Sequence, residues 1–105
     1  MPRALPEPSV DSLNLTLILG ALAEPGRRAL MTEMYRSTEP VDCALVVERA
    51  GLGLSNPTIS HHYRVLREAG LIRTVAQGRK RIVTVRRDDM ETRFPGLLSA
   101  VLTGR

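Results

Sequence analysis

From residue 13 onward, apolar positions come too densely for a single stripe. Leu13, Leu15, Leu17, Ile18, Leu19, Ala21 and Leu22 would surround a helix on nearly every side. A helix that is apolar all round must be buried all round, and a partner chain is its natural cover. Asp11 or Ser12 can cap its start. Ala23-Glu24-Pro25-Gly26 breaks it, and Pro25 suits an early position of a second helix. There Leu30, Met31, Met34 and Tyr35 recur at helical spacing and form an inner, core-facing side. After Glu39-Pro40 a short third helix is predicted from about Val41 to Ala50, with Leu45, Val46 and Ala50 inward. Gly51-Leu52-Gly53-Leu54 makes a tight turn. Ser55 caps a fourth helix, with Asn56 and Pro57 in its first turn, where a missing N–H is harmless. Its buried stripe is Ile59, His62 or Tyr63, Leu66 and Ala69, and Gly70 ends it.

Beyond Gly70 the period shifts from about 3.6 to 2. Leu71 to Ala76 and Arg81 to Val85 read as two strands, joined by Gln77-Gly78-Arg79-Lys80. A two-residue turn at Gly78-Arg79 pairs Ile72 with Val85 and Thr74 with Val83 on the face that packs on the helices. The arginines then fall at the edge and tip. Asp88 and Glu91 can form a capping box. Phe94, Leu97, Leu98, Val101 and Leu102 follow a final helical pattern, which Pro95 interrupts near Phe94.

The 105 residues fit one domain. Residues 1–10, rich in proline, are expected as a disordered lead-in, and 11–105 as the folded domain. Aromatics are 3% with no Trp, so the core must be aliphatic. No apolar run approaches the roughly 20 residues of a membrane span. The N-terminus lacks the apolar stretch of a secretion signal, so a cytoplasmic address is expected. One cysteine, Cys43, excludes an internal disulfide, and two histidines leave few metal ligands.

Charge sharpens the picture. Between His61 and Arg87 stand eight basic residues and one acid, Glu68, a local charge of +7. The net charge is +4, so the rest of the chain carries −3. Such an asymmetry marks a nucleic-acid face. Helix, glycine turn, helix and basic hairpin form the layout of a winged helix-turn-helix, mainly α with a small β-hairpin (α+β). The fourth helix offers Ser55, Asn56, Thr58, Ser60, His61 and Arg64 to base edges in a major groove. Arg79, Lys80 and Arg81 at the wing reach the backbone or the minor groove.

Three segments carry a family resemblance. Ala21-Leu22-Ala23-Glu24-Pro25-Gly26-Arg27-Arg28 resembles the L-x-[DE]-P-x-R-R opening of the ArsR-type (SmtB/ArsR) bacterial repressors. Leu54 to His62 resembles their L-S-x-P-T-[VI]-S-x-H recognition helix, and Val65 to Ile72 their V-L-R-E-A-G-L-[VI] run. The resemblance covers roughly residues 13–87. It implies a homodimeric transcriptional repressor on a two-fold operator of double-stranded DNA, dimerising through the first and last helices. The expected interface residues are Leu13, Leu17, Leu98, Val101 and Leu102.

The chain also departs from the family pattern. Val41 to Glu48 carries one thiol where metal-sensing relatives often carry a cysteine cluster, and Asp88 to Leu102 holds no His. No metal and no cofactor are therefore expected. Gly26 stands where Thr is common, and the turn at Gly51 to Leu54 is one residue longer. Cys43 is expected as a small buried residue, His62 as a structural histidine, and Met31 and Met34 as core. Arg27 and Arg28 suit phosphate contacts or ion pairs equally. No nucleophile, base and orienting group come together, so an enzyme is not expected. Two alternatives stand beside the regulator: a winged-helix module for protein contacts, and a regulator that responds to redox state through its single cysteine. The sequence names no small-molecule inducer.

Overall fold

The computed structural model describes residues 1–104. Strand β1 (Arg3–Ala4) precedes helices α1 (Leu15–Ala23) and α2 (Pro25–Arg36). Strand β2 (Val41–Asp42) leads directly into α3 (Cys43–Ala50), and α4 (Asn56–Glu68) follows the glycine turn. The hairpin is β3 (Ile72–Gln77) and β4 (Lys80–Val85), and α5 (Arg87–Arg93) and α6 (Leu97–Thr103) end the chain. The fold is the α+β winged helix-turn-helix. The sheet has four strands in the order β1-β3-β4-β2, all antiparallel neighbours. The hairpin register pairs Ile72 with Val85 and Thr74 with Val83, as the alternation predicts. Ile18, Leu30, Met31, Met34, Leu66, Leu71, Ile72 and Met90 are fully buried between the helices and the inner sheet face. No helix among the described residues is long and apolar enough to cross a membrane.

The first helix differs from the sequence reading. It starts at Leu15, because Asn14 Oδ1 accepts the Leu17 N–H at 3.1 Å. Val10–Ser12 form a short 3-10 turn instead, and Leu13 follows in extended backbone. The Leu13 side chain drops onto Gly70, whose φ of +84° suits glycine. A Cβ at Gly70 would collide with it. Leu13 and Leu98 are thus core residues of the single chain (5% and 4% exposed), not free interface residues. Leu15, Leu17 and Leu19 remain in solvent. The helix is therefore covered on one side only, the side that carries Ile18, Ala21 and Leu22.

Three smaller corrections follow. The third helix starts at Cys43, since Val41 and Asp42 pair with Val83 and Ile82 and Asp42 Oδ1 then caps Ala44 N–H at 3.0 Å. Leu45 faces solvent, while Val46 is buried and Val47 packs against the core. Asp88 lies inside the first turn of α5, so no capping box forms there, and Glu91 instead accepts the Gly96 N–H at 3.2 Å. The break at Phe94 stands as expected.

Residues 1–10, expected as a disordered lead-in, lie against the domain. Arg3 pairs with Ala76 and Ala4 with Val75. Prolines offer carbonyls but no N–H, so this segment needs donors, and arginines supply them. Arg67 donates to Pro6 O at 2.7 Å, Arg86 to Pro8 O at 2.7 Å and Arg93 to Val10 O at 2.7 Å. Arg73 pairs with Glu7 at 2.9 Å.

Candidate nucleic-acid interface

Helix α4 is held from below and left open above. Its cap is Ser55, whose Oγ accepts the Thr58 N–H at 3.4 Å and lies 2.9 Å from Thr58 Oγ1. Thr58 is half-buried in that cap, whereas Ser55, Asn56, Ser60, His61 and Arg64 are exposed. Arg64 donates to His61 Nδ1 at 3.1 Å, which couples two of the exposed groups. At its N-terminus only the Asn56 N–H is left for a phosphate, because Pro57 has no N–H and the Thr58 and Ile59 N–H groups go to Ser55.

The underside explains why the helix stays put. Leu66 is fully buried, and the Tyr63 hydroxyl donates to Cys43 O at 2.9 Å. Burial pushes that hydroxyl far above the ordinary tyrosine range, so it stays a proton donor. His62 is buried too. Arg27 donates to its Nδ1 at 3.4 Å, which leaves the ring proton on Nε2, facing Glu24 Oε2 at 3.4 Å. Burial holds the His62 pKa below its usual value, partly opposed by Glu24. A backbone N–H from Arg27 lowers the Glu24 pKa in turn. A Cβ at Gly26 would stand 2.9 Å from Glu24 Oε2 and 3.2 Å from His62 Nε2, so glycine leaves room for this contact.

Arg27 and Arg28 resolve toward structure. Arg27 donates to Ala21 O at 2.6 Å and Gly20 O at 3.3 Å, and Arg28 to Leu22 O at 2.8 Å and Ala23 O at 2.9 Å. They satisfy the last carbonyls of α1, which have no partner inside the helix. Cys43 is half-buried. Burial, and then Asp42, raise its thiol pKa, the opposite of what a reactive thiolate needs.

The wing turns at Gly78-Arg79, where Gly78 takes a φ of +62° and Gln77 pairs with Lys80. Arg79, Lys80 and Arg81 are exposed and make no ion pair among the described residues. The basic stretch therefore divides. Arg67, Arg73 and Arg86 hold the N-terminal segment. Arg87 stacks over the Tyr35 ring at 4.1 Å and donates to the carbonyls of Tyr35 and Ser37. The three wing cations are left facing solvent, and Arg64, also exposed, stands 3.9 Å from Glu68.

Comparison with known proteins agrees with this geometry. Residues 50–74, from the end of α3 into β3, match the model described as bacterial regulatory protein, arsR family. The chain is 33% identical over 84 residues to the uncharacterized HTH-type transcriptional regulator YceK of Bacillus subtilis (strain 168), covering 80% of this chain and 82% of the relative. A capped helix open on one side, a basic wing beside it and likeness over most of the chain lead to one assignment. The chain belongs to the ArsR family of bacterial regulatory proteins and is a DNA-binding transcriptional regulator.

Proposed function

We propose that the chain acts as a homodimeric repressor that occupies a two-fold operator, with α4 in the major groove and the wing on the adjacent backbone or minor groove. The observation that carries this reading is the contrast across α4. Below it His62, Tyr63 and Leu66 are buried or hydrogen-bonded, while above it Asn56, Ser60, His61 and Arg64 are exposed, Arg64 3.9 Å from Glu68, and the wing presents three cations without acidic partners among the described residues. Short polar groups near a helix start, backed by a longer cation, suit base edges. The wing cations suit phosphate. A protein-contact module would instead deplete charge at the centre of its surface.

The dimer rests on the apolar face that one chain leaves uncovered. Leu15, Leu17 and Leu19 of α1 are 43%, 59% and 46% exposed, and Val101 of α6 is 36% exposed. Leu102 beside it is half-buried. Both helices pack on α2. Leu15 and Leu19 edge the uncovered arc of α1 on one flank and Leu17 on the other; exposed aliphatics on two helices that share α2 suit an interaction surface, and a second copy would cover them.

Footprinting on fragments of the source genome tests the proposal. It predicts a protected site with two-fold symmetry, its half-sites about one helical turn apart (roughly 34 Å). Protection without symmetry would contradict the dimeric arrangement, and no protection would contradict operator binding.

A further inference from the structure

A pocket of about 340 Å³ lies between α4, the wing and the N-terminal segment. Its size falls within the range of small-molecule sites, about 300–1,000 Å³. Ile59, Tyr63 and Arg67 line it from successive turns of α4, with Arg64 beside them, Arg81 from β4 and Leu5 opposite. The lining thus combines apolar side chains with Ser60, Thr74 and three guanidinium groups; it contains no acidic residue, although Glu68 stands 3.9 Å from Arg64. Arg67 is fixed in place by Pro6 O. Arg81 has no side-chain hydrogen bond or ion pair among the described residues.

We propose that this pocket binds a small organic anion, an apolar body bearing one carboxylate, and that such a ligand and DNA exclude one another. Guanidinium groups pair with carboxylates through two parallel N–H donors. The apolar side chains lower the local dielectric and strengthen that pairing. A fully hydrated inorganic anion gains nothing from Leu5, Ile59 and Tyr63, so the lining favours an organic one. The exclusion follows from shared residues: Arg64 and Arg81 lie both in the pocket and on the proposed DNA face. This second half rests on the proposed operator contact; the first half does not.

Calorimetry on the full chain without DNA tests the site, with naphthoate as probe, naphthamide as its neutral counterpart and inorganic phosphate as a bare anion. The expected result is one naphthoate per chain and about tenfold weaker binding of naphthamide, the loss of one charge-assisted contact. Arg81→Gln should weaken naphthoate about tenfold and leave naphthamide unchanged. Arg49→Gln, an exposed cation on α3 outside the pocket, should change neither. Three results would overturn the site: no naphthoate binding, phosphate binding as tightly as naphthoate, or equal losses in both variants. Leu17→Glu abolishing the binding would also overturn it, by assigning the probe to the apolar face of α1. With a bound duplex present, naphthoate should release it and naphthamide should not. Naphthoate that binds yet leaves the duplex in place would overturn the exclusion alone. A chain that bound no duplex would overturn the DNA reading, while the calorimetry would still decide the pocket.

Discussion

His62 shows how one buried side chain ties the reading helix to the body of the protein. It sits between Arg27 and Glu24, and burial keeps its pKa below the ordinary histidine value. The unfolded chain, with a histidine near pKa 6.5, takes up the proton first. Its contribution to stability is therefore full above about pH 6.5 and falls as pH drops from there through the folded value. Urea denaturation of the wild type should show stability declining from pH 7 to pH 5, and His62→Gln should flatten that decline. An unchanged slope in the variant would contradict this account. Glu24, whose pKa is lowered, adds stability that is lost only at more acid pH. The inward lean of His62 was legible from its place in the α4 stripe. Its partners were not, because Arg27 lies 35 residues away and helical period says nothing about which helix comes to meet it.

Among the elements, those with a long period were legible and the two-residue strands were not. Helix α4, its Ser55 cap and the hairpin register follow from spacing alone. Strands β1 and β2 are too short to have a period, and the order of the N-terminal segment depends on distant arginines. The run of arginines was visible, but its division between clasp and wing needed the fold. Arg86 is 6% exposed and donates to both Asp89 and Pro8 O. Arg86→Met should leave that carbonyl unpaired and cost about 1–3 kcal/mol, measured by the shift in denaturation midpoint; an unshifted midpoint would contradict the clasp. The two DNA-facing elements should fail differently. Arg79→Ala should weaken binding to all duplexes alike and lower the salt slope by about one. His61→Ala should cost about 1–3 kcal/mol on the operator and much less on random DNA. The same uniform loss from both would contradict the division between reader and anchor.

At the scale of the molecule, the helix that looked apolar all round proves to have two sides. One packs inside the chain through Ile18, Ala21 and Leu22, and the remaining arc, edged by Leu15 and Leu19 on one flank and Leu17 on the other, stays open. Density of leucine announced a covered helix, but only the packing separates what one chain covers from what a second must. Charged substitutions should accordingly part company. Leu17→Glu, on the open side, should give a folded monomer in sedimentation, while Leu98→Glu, at 4% exposure, should unfold the chain. A monomeric wild type at micromolar concentration would contradict the dimer. The claim on which the rest depends is selective DNA recognition through α4, anchored by the wing cations. Its most direct test is fluorescence anisotropy of the footprinted operator and a scrambled duplex across a salt series. The account predicts binding that weakens steeply with salt on both duplexes, as phosphate contacts release counterions, and a clear preference for the operator at every salt concentration. Equal affinity for the two duplexes, or binding indifferent to salt, would contradict it.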